Sequence, residues 1–142
     1  MLVFVSYSLR DHNITKDHLI VLRKAIGGAS PGISMYIDIF DNPEGYKCAK
    51  KTLNCPAHKH VIHKLNQADI FLLLSDESSS PWVMRELQHA NEFNIPILRL
   101  AREKLNALLD DCEKKRLPVI CELQRDIYKL SKNDNRPCPP IA

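Results

Sequence analysis

Two groups of residues in this chain carry side chains that could do chemistry. The first is Trp82 and Glu86, four apart in SSSPWVMRELQHA (residues 78–90). Ser80 is a natural helix N-cap and Pro81 suits the first helical position. Trp82 and Glu86 then fall one turn apart on the same helix face. A carboxylate there is either a reactive group or a surface glutamate, and the residues alone favour the surface glutamate. The second group is Cys55-x-x-His58-x-His60-x-x-His63, which has the spacing of metal ligands. A metal centre needs ligands that converge. His58-Lys59-His60 is more simply the polar start of a helix, so no metal is expected.

The elements around the first group form a strand–loop–helix–strand unit. Ile70–Leu74 is an apolar run without polar alternation, as in a strand buried on both faces. The helix ends near Asn94, and a second apolar run, Ile95–Leu100, follows. Val83, Met84, Leu87 and Ala90 are expected to form the helix's core stripe, with Glu86 beside it.

The rest of the chain alternates in the same way. Leu2–Val5 is a central strand ending in Ser6-Tyr7-Ser8. Thr15–Ile26 has helical spacing and stops at Gly27-Gly28. Ile33–Phe40 alternates and is expected to be a second strand. Residues 41–56 are the longest irregular stretch, and loops of that length are often functional. Ala57–Gln67 is a helix. Glu103–Arg116 is another, Leu117–Leu123 is expected to be a fifth strand, and Gln124–Leu130 a short helix. Residues 1–130 then form one domain, followed by a Pro-rich tail, 131–142.

This pattern implies an α/β fold with a parallel sheet and helices on both faces. Five strands of this length suit the order 2-1-3-4-5 of flavodoxin-like three-layer sandwiches. Ligands there bind beyond the carboxyl ends of strands one and three, where the winding direction switches. That selects Ser6, Tyr7 and Ser8 after strand one, and the segment from Ser75 to Glu86 after strand three.

Composition narrows the classes of function. Apolar residues at 44% and charged residues at 26% fit a globular domain, and a net charge of +3 supplies no basic stripe for nucleic acid. No apolar run approaches a membrane span. The N-terminus lacks a signal-peptide pattern, and the five cysteines are odd in number with no CxxC. A cytoplasmic protein with reduced thiols is expected. There is no Walker A motif and no GxGxxG, which disfavours NTPase, kinase and dehydrogenase readings. Ser6-Tyr7-Ser8 is a poor substitute for the acidic cluster of a receiver domain.

With these residues in place, the chain resembles the TIR (Toll/interleukin-1 receptor) domain family, its bacterial branch above all. Val3-Phe4-Val5-Ser6-Tyr7-Ser8 with Asp11 resembles the family's first box. Tyr36-Ile37-Asp38 resembles its second strand, and Ala68-Asp69 to Leu74 its third. Ser79-Ser80-Pro81-Trp82-Val83-Met84-Arg85-Glu86-Leu87, with Ala90, resembles the S-x-W-x-x-x-E-L box, and Ile95-Pro96-Ile97 the fourth strand. The likeness runs in order through residues 2–101. It departs after strand two, where Asn42-Pro43-Glu44-Gly45 and a longer segment stand in place of the family's short glycine-rich pattern. That departure is similar to the TIR-like proteins of Thoeris-type anti-phage systems.

The resemblance implies an enzyme that breaks the nicotinamide–ribose bond of NAD⁺ as substrate, with no separate cofactor. It assigns Glu86 as the catalytic residue. Ser6, Tyr7, Ser8, Asp38, Ser75, Ser80 and Trp82 become substrate-binding candidates, with Ser80 and the helix start available to a phosphate and Trp82 a core or pocket-wall residue. It also implies TIR–TIR homo-oligomers and a cyclic ADP-ribose-type signal read by a downstream effector. A non-enzymatic adaptor acting through homotypic contacts is the alternative. A nucleoside deoxyribosyltransferase-like enzyme, which also uses a glutamate at a ribosyl carbon, is another.

Overall fold

A computed structural model describes residues 1–7, 14–28, 32–41, 56–74 and 81–132. The chain opens with β1 (Leu2–Ser6), then α1 (Lys16–Leu22), which runs into a π-helical turn (Arg23–Gly28). Next come β2 (Ser34–Tyr36), a single helical turn α2 (Asp38–Asp41) and α3 (Pro56–Asn66). The remaining elements are β3 (Ile70–Leu73), α4 (Pro81–Glu92), β4 (Ile97–Arg99), α5 (Arg102–Lys114) and α6 (Pro118–Lys132). All strand pairs are parallel and the order is β2-β1-β3-β4. β1 and β3 therefore lie at the centre, and the winding direction switches between them.

Strand alternation sends successive side chains to opposite faces. Val3, Val5, Ile70 and Leu72 pack under α1, α5 and α6, with Leu19, Leu22, Leu108, Ile120, Leu123 and Ile127. Phe4, Phe71 and Leu73 face the other way, against Val61 and Leu65 of α3 and Val83, Leu87 and Ala90 of α4. Tyr36, Phe4 and Phe71 stack across three neighbouring strands, with centroids 5.3 and 5.8 Å apart. The result is a sheet between two helical layers.

Local chemistry sets the helix ends. Thr15 caps α1: its Oγ1 accepts from His18 N, and His18 Nδ1 accepts from Thr15 N. That leaves the proton on His18 Nε2, 2.7 Å from Glu113 Oε1, so α1 is tied to α5. α4 ends where Asn94 takes a left-handed φ of 57° and Ile95 N bonds back to Ala90 O.

The expected fifth strand is not one: among the described residues the sheet has four strands, and residues 118–123 belong to α6. Pro118 fits the first helical position. The Asp111 carboxylate accepts from Val119 N at 2.8 Å and satisfies an otherwise unpaired N–H. Ile120, Leu123 and Ile127 then recur at helical spacing and are all buried. The helix also absorbs the expected 124–130 segment and extends two residues into the expected tail; residues 133–142 lie outside the described residues. The second strand is likewise shorter than Ile33–Phe40. Asp41 Oδ2 accepts from Ile37 N, and Phe40 N and Asp41 N bond back to Ile37 O, which closes a helical turn. Met84, expected in the core stripe of α4, is 54% exposed, while Val83, Leu87 and Ala90 are buried. No helix among the described residues is long and apolar enough to cross a membrane.

Candidate functional site

Ser6 is the last residue of β1 and lies on the same sheet face as Phe4, toward α3 and α4. Leu74 N bonds to Ser6 O at 2.9 Å, which locks the ends of β1 and β3 together. Ser6 is a buried polar residue, 1% exposed, so its hydroxyl needs a partner. The partner is Glu86: Ser6 Oγ donates to Glu86 Oε1 at 2.8 Å. The position on α4 follows from the register. Val83, Leu87 and Ala90 bury one stripe, and Glu86 falls at its margin, half-buried and facing β1.

Burial raises the Glu86 carboxyl from 4.5 to about 8. The Ser6 bond works against that shift by favouring the ionised form. The charge of Asp38 adds to it. Asp38 starts α2, directly after β2, and Tyr36 OH donates to its Oδ1 at 2.8 Å. Three of the expected residues, Ser6, Asp38 and Glu86, are thus brought together at the carboxyl ends of β1, β2 and β3. A carboxyl held neutral beside an ionised one is an arrangement that assigns acid and base roles.

Tyr7 follows Ser6 and takes the opposite face. Its ring packs with the α1–α5–α6 core, and its hydroxyl accepts from Ile39 N at 2.9 Å. It braces the turn that carries Asp38. Trp82 is half-buried one turn before Glu86 on α4. Ser8, Ser75, Ser80 and residues 42–55 lie outside the described residues. Sequence reasoning gave no role to Tyr36, whose hydroxyl orients Asp38. The signal for it was a tyrosine two residues before an aspartate at a strand end.

The Cys55/His58/His60/His63 group is only partly described. His60 is exposed, with its ring 6.3 Å from that of Tyr36. His63 is exposed, with Nε2 3.2 Å from Gln67 Nε2. Cys55 and the His58 side chain lie outside the described residues. Among the described residues no three His, Cys, Asp or Glu side chains are grouped to hold a metal ion.

In comparisons with known proteins, the chain matches no family model, no curated protein and no solved structure.

Proposed function

We propose that this chain is a flavodoxin-like TIR-type enzyme that cleaves the nicotinamide–ribose bond of NAD⁺, with Glu86 as its catalytic residue. The observation that carries this reading is the Glu86 carboxyl. It is bonded to Ser6 and set against Asp38 beyond the ends of the central strands. In the first step the C1′–N bond breaks and its electron pair passes to the nicotinamide nitrogen. Nicotinamide leaves neutral, so no acid is required, and positive charge moves onto the ribose. An ionised carboxylate beside C1′ stabilises that charge. Water then adds at C1′ and loses a proton, giving ADP-ribose. Capture by a nitrogen of the adenine instead gives a cyclic product, suited to signal to a downstream effector in bacterial anti-phage immunity.

The raised pKa suits this sequence of events. Before substrate binds, a carboxyl raised to about 8 is mostly neutral at pH 7. The pyridinium charge of an arriving NAD⁺ favours the ionised form, so the carboxylate forms when its substrate is present. An adaptor working through surface contacts has no use for a half-buried carboxyl bonded to Ser6 at a switch point, whereas a deoxyribosyltransferase-like enzyme would. Nicotinamide release from NAD⁺ by the wild type, lost in Glu86→Gln, tests the reading. Base release from deoxynucleosides instead would favour the deoxyribosyltransferase reading.

A further inference from the structure

Asp38 is carried on a single helical turn, α2, and a turn that short is marginal by itself. Two oxygens of one residue hold it. Ile37 is fully buried, so its N–H needs a partner. Asp41 Oδ2 accepts that N–H at 2.8 Å, while Phe40 N and Asp41 N bond back to Ile37 O. Asp41 Oδ1 accepts from Arg23 Nη2 at 2.7 Å. Arg23 opens the π-helical turn that follows α1, a departure from regular helix that recurs at functional sites. One oxygen of Asp41 therefore closes the α2 turn, and the other ties it to a different element.

The same turn takes two further bonds. Ile39 N donates to Tyr7 OH, and Tyr36 OH donates to Asp38 Oδ1. The residues on either side of Asp38 are thus tied down, and its own carboxylate is held by Tyr36. Across the switch point, Glu86 meets the Ser6 hydroxyl from β1 and the charge of Asp38 from α2. The force between two charges depends on their separation, so whatever fixes α2 fixes how strongly Asp38 acts on Glu86. We propose that Asp41, anchored by Arg23, is a positioning residue for the site: it holds the α2 turn in the shape that sets Asp38 against Glu86. The proposal rests on the reading above of Glu86 as the working carboxyl.

The test reads the Glu86 pKa by ¹³C NMR titration of the glutamate carboxyls, which needs no substrate. Asp41→Ala lets Asp38 recede, so the pKa is expected to fall from about 8 toward its value in Asp38→Asn. Asp41→Asn lacks the same charge but keeps an acceptor for Ile37 N, and is expected to stay close to the wild type. In the Asp38→Asn background, Asp41→Ala is expected to change nothing further. Arg23→Gln is a milder variant at a partly exposed pair. Loss of a cation acting through space would raise the Glu86 pKa, whereas a loosened turn lowers it, and a fall is expected. A pKa lowered equally by Asp41→Ala and Asp41→Asn, or lowered by Asp41→Ala as much in the Asp38→Asn background, overturns the proposal. So does a pKa that rises or stays fixed in Arg23→Gln. Any of these results alongside Glu86-dependent cleavage of NAD⁺ leaves the enzymatic reading standing. The expected pattern supports the proposal even if NAD⁺ is not cleaved and that reading fails.

Discussion

Ser6 and Glu86, eighty residues apart in sequence, are joined by a 2.8 Å hydrogen bond in which the serine hydroxyl donates to the carboxyl. The bond links the end of β1 to the second turn of α4, across the switch point of the sheet. It favours the ionised form of a carboxyl that burial pushes toward the neutral one. Ser6→Ala is therefore expected to raise the Glu86 pKa above about 8. Asp38→Asn removes a neighbouring negative charge and is expected to lower it. A ¹³C NMR titration of the glutamate carboxyls checks both signs. Shifts of the same sign in the two variants would contradict the arrangement described here.

The same carboxyl sets a pH profile. In the free enzyme Glu86 ionises near pH 8, so kcat/KM for NAD⁺ is expected to rise with pH and level off above that value. In the substrate complex the pyridinium charge lowers the pKa, so the profile of kcat rises earlier. Initial rates of nicotinamide release from pH 5 to 9.5, at low and at saturating NAD⁺, measure the two curves. A kcat/KM that falls as pH rises through the same range would mean that neutral Glu86 is the active form.

Stability carries the opposite dependence. The folded-state pKa lies above the unfolded value of 4.5. Below pH 4.5 both states hold the proton and Glu86 adds no pH term. Between pH 4.5 and 8 the unfolded state ionises while the folded state does not, so folding loses stability as pH rises. The full loss, present above pH 8, is at most about 5 kcal/mol. Glu86→Gln lacks this term. Urea unfolding at pH 5 and at pH 8.5 should show the variant gaining on the wild type at the higher pH. Curves that stay parallel would place Glu86 in water.

The central strands and the switch point were legible because Leu2–Val5 and Ile70–Leu74 are short, unbroken apolar runs, a pattern that a twice-buried strand produces. Residues 117–121 (LPVIC) have a similar appearance, and run length alone does not separate a buried strand from a helix segment. The distinguishing marks were present: Pro118, and the spacing of Ile120, Leu123 and Ile127. The turn at Asp38 was hidden because Ile37 and Ile39 continue the alternation of the strand; the bonds that close it are set by Asp41. Glu86 stood out through its box, and Ser6 through the topology.

The helical reading of 118–132 has its own test. Cys121 is exposed on α6, whereas Cys112 is buried on α5 with its thiol pushed up to about 11, chiefly by burial. A thiol reagent at pH 7.5, followed by peptide mass mapping, should modify Cys121 in the native protein and Cys112 only after unfolding. Ile127→Ala, at a fully buried position, should cost about 2–4 kcal/mol in urea unfolding. Rapid native labelling of Cys112 would contradict this packing.

The central claim is that the Glu86 carboxyl breaks the nicotinamide–ribose bond. Its most direct test is nicotinamide release from NAD⁺, followed by chromatography at pH 8, with purified protein at concentrations high enough to drive self-association. The expected result is release by the wild type that falls at least 100-fold in Glu86→Gln while the variant stays folded, the order of effect seen when a key electrostatic group is removed. Equal release by the two proteins, or none by the wild type under these conditions, would contradict it.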